Sequence, residues 1–253
     1  MKKAIILEIR LFYVYLKTLM FSKRFWVVPF VYRILFDIRH FKLINFNVIG
    51  RSDCFTIMDV FCYQNYSIPR YWRDSIDRFL REGENLPVVL DLGANLGFTS
   101  HYIKKLYPEA FTIGVEPDRK AAQFCRQHGV DQLRTAVIGK GSKAFLSNDA
   151  ISYQKKLSDH GDEVDVISEN ELVMAIGDYL PFILKVDIEG AEEVLFYDYQ
   201  ALISMFKVIF IELHDWGIDH KIHSTAIWTF LAESSSSYNV IIQGDILCLI
   251  KNT

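Results

Sequence analysis

The sequence predicts a doubly wound α/β domain with a mostly parallel sheet, and three observations carry that prediction. Short apolar strands alternate with helical stretches from about residue 86 onward, the pattern of successive βαβ units covered on both faces. A glycine-rich turn follows the first of these strands. The last two strands flank Gly244-Asp245, a two-residue hairpin signal. A Rossmann-like core is therefore expected over 86–253, inside a domain spanning 44–253 and preceded by an extension, 1–43.

Taken in order, residues 4–38 read as helix, kinked near Pro29 because proline removes an amide and clashes with the preceding turn. Residues 42–49 and 53–62 alternate around the polar turn Gly50-Arg51-Ser52-Asp53 and read as a β-hairpin. A helix from Pro69 to Leu80 leads into the core. Strand 88–90, helix 96–106, strand 111–115, helix 118–128 (closing at Gly129) and strand 133–138 follow. The polar stretch 139–163 reads as a loop or lid. Helix 169–176, strand 182–187, helix 191–204 and strand 207–213 come next. A loop, 214–223, then leads to helix 224–235 and to the closing strands 238–243 and 246–250.

At 253 residues the chain is 51% hydrophobic and 23% charged, an ordinary balance for a protein that buries a full core. Cys54, Cys62, Cys125 and Cys248 lie far apart. That argues against a zinc site and a disulfide scaffold, and for a reducing cytoplasm. The net charge of -3 hides an asymmetry: residues 1–43 carry nine Lys or Arg against Glu8 and Asp37. Such a basic segment on an acidic body implies an anionic partner, a membrane surface or an acidic glycan, and no nucleic acid for the body. Glu8 and Arg10 interrupt the first apolar run, and the longest uncharged stretch there is Phe25–Tyr32. Neither a signal peptide nor a spanning helix is expected. Lys3, Arg10, Lys17 and Arg24 recur every seventh residue and form one stripe of a helix. Two readings stay open: a helix packed on the domain or on a second subunit, and an interfacial helix on anionic lipid.

Val89-Leu90-Asp91-Leu92-Gly93-Ala94-Asn95-Leu96-Gly97 carries the strongest chemistry. In such sheets ligands bind outside the carboxyl ends of the strands. Gly93 permits a tight turn and close approach of a ligand, and Gly97 lets the next helix start near the strand. Glu116 ends the next strand, placed to accept both hydroxyls of a ribose. Pro117 follows it, and Asp118 is a candidate cap for the next helix. The turn lacks the G-x-G-x-x-G spacing of a dinucleotide site. It suits a cofactor with an adenosine and a charged amino-acid tail, whose ammonium Asp91 could meet. A nicotinamide-linked oxidoreductase and a non-catalytic scaffold remain the alternatives.

The second constellation is Leu184-Lys185-Val186-Asp187-Ile188-Glu189-Gly190-Ala191-Glu192, where Lys185, Asp187 and Glu189 would project on one side of a strand end. A structural ion pair and a substrate-facing carboxylate with a lysine partner are both open. Ile209-Phe210-Ile211-Glu212-Leu213-His214 closes the next strand with an acid and an imidazole. An ordinary His214 is suited to take a proton near neutrality. His214, His220 and His223 match no standard metal spacing, and no metal is expected.

Together, Leu90 to Gly97, Val115-Glu116-Pro117-Asp118, Lys185 to Glu192 and Ile211-Glu212-Leu213 resemble the FkbM-type methyltransferases, from about residue 53 to the C-terminus. The K-x-D-x-E-G-A-E string is the most specific piece. The resemblance implies a class I methyltransferase sheet of seven strands, S-adenosylmethionine as cofactor, and transfer to an oxygen, often a hydroxyl of a sugar or secondary metabolite. It implies that Asp91, Gly93, Ala94, Asn95 and Gly97 hold the methionine end, that Glu116, with Pro117 and Asp118 behind it, holds the ribose, and that Asp187 and Glu189 face the reacting groups. It names no base. Residues 1–43 have no counterpart in the pattern and 139–170 lack its landmarks, so acceptor choice is expected to reside there.

Overall fold

The computed structural model describes residues 35–37, 42–44, 56–146, 157–158, 160–188, 191–214 and 224–252. The chain divides into two compact units, Met1–Phe55 and Thr56–Thr253. In the first, β1 (Leu35–Asp37) and β2 (Lys42–Ile44) pair antiparallel. The expected helix over 4–38 is thus not continuous, since its last residues are a strand, and most of that stretch lies outside the described residues. The β-hairpin expected from 42–49 and 53–62 is corrected too: β2 pairs with β1, and Met58–Tyr63 is a π-helical turn. Its period-2 alternation misled because Ile57 and Val60 are the residues buried, a helical spacing.

The second unit begins with that turn and a 3₁₀ turn at Arg70–Trp72. It continues through α1 (Arg73–Glu82), β3 (Pro87–Leu92), α2 (Phe98–Leu106), β4 (Phe111–Val115), α3 (Arg119–Gln127), β5 (Gln132–Arg134), β6 (Ala136–Ile138), β7 (Lys143–Leu146), β8 (Leu157–Ser158) and β9 (Asp162–Ile167). Then come α4 (Glu169–Ile176), β10 (Leu180–Val186), α5 (Glu192–Asp198), α6 (Gln200–Met205), β11 (Val208–Glu212), α7 (Thr225–Glu233), β12 (Tyr238–Gln243) and β13 (Ile246–Lys251).

Seven strands form the main sheet in the order β12-β13-β11-β10-β3-β4-β5. The pairs from β11 to β5 are parallel, and β13 runs against both of its neighbours. Successive residues of β3, β10 and β11 are buried, so both faces of the sheet are covered. Leu90, Leu92, Leu184, Val186, Ile209 and Ile211 share one face with apolar residues of α4 to α7. On the other side α2 packs on β3 and β4, and Phe79 of α1 stacks on Phe182. This is the doubly wound, mostly parallel seven-stranded fold that the sequence predicted.

Three elements depart from expectation. The loop or lid at 139–163 contains β7, β8 and the start of β9, which join β6 in a second sheet ordered β6-β9-β7-β8. Its small apolar core is Val137, Leu146 and Val164. The single strand expected at 133–138 is therefore split between two sheets. The helix expected over 191–204 breaks at Tyr199, whose hydroxyl donates to the carbonyls of Ile167 (2.7 Å) and Gly139 (3.1 Å).

Candidate active site

The turn after β3 is shaped by contacts that exclude side chains. Gly93 has φ +77°, and a Cβ there would stand 1.6 Å from the carbonyl oxygen of Asp187. Gly97 (φ +81°) lies against the backbone of Cys125 in α3. The amides of Gly93 and Ala94 both donate to the Val115 carbonyl (2.9 and 3.0 Å), and Gly97 N donates to Ala94 O (2.7 Å). Asn95, itself at positive φ, donates its amide to Glu116 Oε2 at 2.7 Å. The turn thus commits the amides of Gly93, Ala94 and Asn95 to the end of β4 and that of Gly97 to the turn itself.

Glu116 also accepts from the Asp118 amide at 2.8 Å. Burial pushes its carboxyl up to about 7, although the Asp118 and Asn95 amides favour the charged form. Asp118 caps α3, accepting from Lys120 N (2.7 Å) and Ala121 N (3.1 Å). Asp91 is fully buried and points away from the cleft: Oδ2 accepts from Ser100 Oγ (2.7 Å), and Oδ1 lies 3.2 Å from Lys185 Nζ. Asp91, expected to meet a ligand ammonium, is here paired with the protein's own lysine.

Lys185 stands opposite Asp91 in the β10–β3 register, so the two share a face. Its Nζ donates to Gly93 O (2.6 Å) and lies 3.1 Å from Asp187 Oδ2. Burial would lower the lysine pKa, but the Asp187 and Asp91 charges hold it well above its usual value. Breaking such a buried pair by removing one partner generally costs about 3–5 kcal/mol. Asp187 is partly buried at the end of β10, and Lys185 with His214 draws its carboxyl far below the usual range against the effect of burial.

His214 is held between two acids, with Nδ1 2.7 Å from Glu192 Oε1 and Nε2 3.4 Å from Asp187 Oδ1. Burial opposes its charge, yet the two acids push it up to about 11. Held between two acids, His214 differs from the ordinary imidazole expected from sequence, since a proton kept on both nitrogens leaves no lone pair to take another. Glu212 accepts from Tyr66 Oη at 3.0 Å. The Asp187 charge, then burial, raises Glu212 to about 7. Tyr66 packs edge-on against Phe210, which shares the sheet face of Lys185.

These groups open onto a cleft at the carboxyl ends of β3, β4, β10 and β11. Among the described residues, four carboxyls line it, from Asp59, Glu116, Asp187 and Glu212, against one ammonium, Lys185. Burial and then Asp245 push Asp59 up to about 6. Val137, Ile138 and Leu146 from the second sheet form an apolar wall. Of the residues expected from sequence, Gly93, Ala94, Asn95, Glu116, Pro117, Lys185 and Asp187 line the cleft, and His214 adjoins it beside Asp187 and Glu212. Glu189, His220 and His223 lie outside the described residues. Sequence reasoning missed Asp59, Tyr66 and Glu192 as participants. Glu192 was within reach of it, as the last acid of the K-x-D-x-E-G-A-E string.

No family model matches the sequence, and no curated protein matches it. Solved structures do. The plantazolicin methyltransferase BpumL in complex with SAH aligns at 14% identity over 79% of this chain and 91% of that one, with a TM-score of 0.40. A precorrin-6y C5,15-methyltransferase from Geobacter metallireducens GS-15 aligns at 15% identity over 73% of this chain and 90% of that one, with a TM-score of 0.39. A fibrillarin/Nop5p complex aligns at 11% identity over 71% and 81%, with a TM-score of 0.39. The likeness is one of fold alone.

Proposed function

We propose that the chain is an S-adenosylmethionine-dependent methyltransferase acting on a hydroxyl oxygen. The observation that carries this reading is the charge of the cleft: among the described residues, four carboxyls against one ammonium, with Asp59, Glu116 and Glu212 all pushed toward neutrality. Such a lining calls for a cationic ligand, and S-adenosylmethionine brings a sulfonium and an ammonium. A dinucleotide would bring a diphosphate, which needs free amides at the turn. Here the amides of Gly93, Ala94, Asn95 and Gly97 are already bonded within the protein.

In this reading Glu116 accepts the ribose hydroxyls, and Gly93 lets the methionine end pass close to the backbone. Asp91 acts indirectly by holding Lys185 against the Gly93 carbonyl. The acceptor oxygen attacks the methyl carbon in line with the carbon–sulfur bond. The new C–O bond forms as C–S breaks, and the sulfonium leaves as a neutral thioether. Positioning supplies most of the rate, since the cofactor is already activated. The acceptor hydroxyl becomes acidic as the C–O bond forms, so even the weakly basic Asp187 takes its proton during transfer. The resemblance noted above supports a sugar, glycan or glycolipid acceptor. The basic stretch 1–43 supports work in the cytoplasm at an anionic membrane face, and among the described residues no helix is long and apolar enough to cross a membrane.

Calorimetric titration with S-adenosylmethionine and separately with NAD tests the reading. Micromolar binding of the first is expected, weakened at least tenfold in Glu116→Ala. With an acceptor in hand, Asp187→Asn should keep cofactor binding and lose about 100-fold in kcat. Binding of NAD alone would overturn the proposal, and silence toward both would favour a scaffold.

A further inference from the structure

We infer that Asp187, Glu212 and His214 form a binding site for one divalent transition-metal cation on the wall of the cleft. The ligand atoms of the three side chains lie within 4.8 Å of one another. They come from adjacent strand ends, Asp187 just after β10 and Glu212 with His214 at the end of β11. The cluster is thus fixed by the sheet and not by a run of histidines along the chain, which is why sequence spacing did not disclose it.

Two geometric features point to an ion. The first is the gap between His214 Nε2 and Asp187 Oδ1, 3.4 Å. A direct charge-assisted hydrogen bond closes to about 2.7–2.9 Å. Two atoms each about 2.1 Å from a common ion, at a tetrahedral angle, stand about 3.4 Å apart. The second is that every one of the three side chains is held from outside by a different neighbour. Buried Glu192 takes the His214 Nδ1 proton at 2.7 Å and turns Nε2 toward the acids. Lys185 engages Asp187 through Oδ2, leaving Oδ1 for the site. Tyr66 donates to Glu212 at 3.0 Å. Outer partners of this sort orient metal ligands and fix the imidazole tautomer.

One imidazole nitrogen with two carboxylates suits Mn²⁺, Fe²⁺, Co²⁺ or Zn²⁺ better than the all-oxygen sets preferred by Ca²⁺ and Mg²⁺. On loading, the ion takes the place of the proton on Nε2, which leaves to solvent, while the Nδ1 proton stays with Glu192. Asp187 and Glu212 line the cleft, so the open positions of the ion face it, where oxygen atoms of an acceptor could complete the shell.

The site shares Asp187 and Glu212 with the cleft of the methyl-transfer reading, but its test needs no cofactor and reads metal uptake alone. The purified full chain is titrated with Mn²⁺ and read by electron paramagnetic resonance. One bound ion per chain is expected, with the nitrogen coupling of a directly bound imidazole. Glu192→Gln should weaken uptake about 10–100-fold, and His214→Ala should abolish it. The nitrogen coupling is read on the unsubstituted chain, so the result does not depend on a variant folding. Absence of uptake of both Mn²⁺ and Zn²⁺ at millimolar concentration would overturn the site. Uptake without nitrogen coupling, or unchanged in His214→Ala, would overturn it equally.

Discussion

Burial pushes the Glu116 carboxyl up to about 7, and the amides of Asp118 and Asn95 only partly offset it. Its folded pKa therefore lies above the unfolded value of 4.5. Between these two values the folded state holds a proton that the unfolded chain has released, so stability falls as pH rises through the window. Below about 4.5 this penalty is absent, and above about 7 it is complete. Glu116→Gln should accordingly flatten the stability profile across that range, measured by urea unfolding at a series of pH values. The same change should blunt the rise in S-adenosylmethionine affinity expected from pH 5 to pH 8, where an ionised Glu116 attracts the cation. An unchanged profile in the variant would mean that another group carries the titration. Residues of this kind were legible because their spacing reports a backbone need. Gly93 and Glu116 sit where a turn and a strand end must place them. The buried pairing of Asp91 with Lys185 was not legible, because a chain of letters does not show which cation a carboxylate meets.

At the level of elements, α3 starts where Asp118 accepts the Lys120 and Ala121 amides. Asp118→Ala should cost about 1 kcal/mol of stability, the usual loss for a removed cap. Its backbone amide would still reach Glu116, so cofactor affinity should change by less than about threefold; calorimetry and urea unfolding read the two effects separately. The strands and helices from 87 to 134 and from 169 to 251 were largely visible in the sequence because each carries its own apolar period and stop signal. The second sheet was not. On β7 and β9, Lys143, Glu163 and Asp165 are exposed and pair across the strands (3.2 and 2.7 Å). Their polarity reads as loop, and the pairing of β6 with β9 spans too much chain for a local signal. The turn at Met58–Tyr63 was missed for the opposite reason, since a short apolar run fits either period.

Across the whole molecule, charge is divided as sharply as structure. Residues 1–43 are strongly basic while the rest of the chain is acidic. The full chain should therefore bind vesicles that carry anionic lipid and leave them in about 0.5 M salt, where screening shortens to a few ångströms. Equal binding to neutral vesicles in a sedimentation assay would remove the charge argument. The order of the main sheet has a different consequence. β13 fills the slot between β11 and β12, although it is the last of these strands in the chain. During synthesis the apolar strand Val208–Glu212 emerges well before Ile246–Lys251, its partner on that side. At ordinary translation rates the intervening residues take about 2–8 s to make. For that interval the nascent protein carries an open, sticky strand edge, and a ribosome stalled there would present it to chaperones or to other nascent chains.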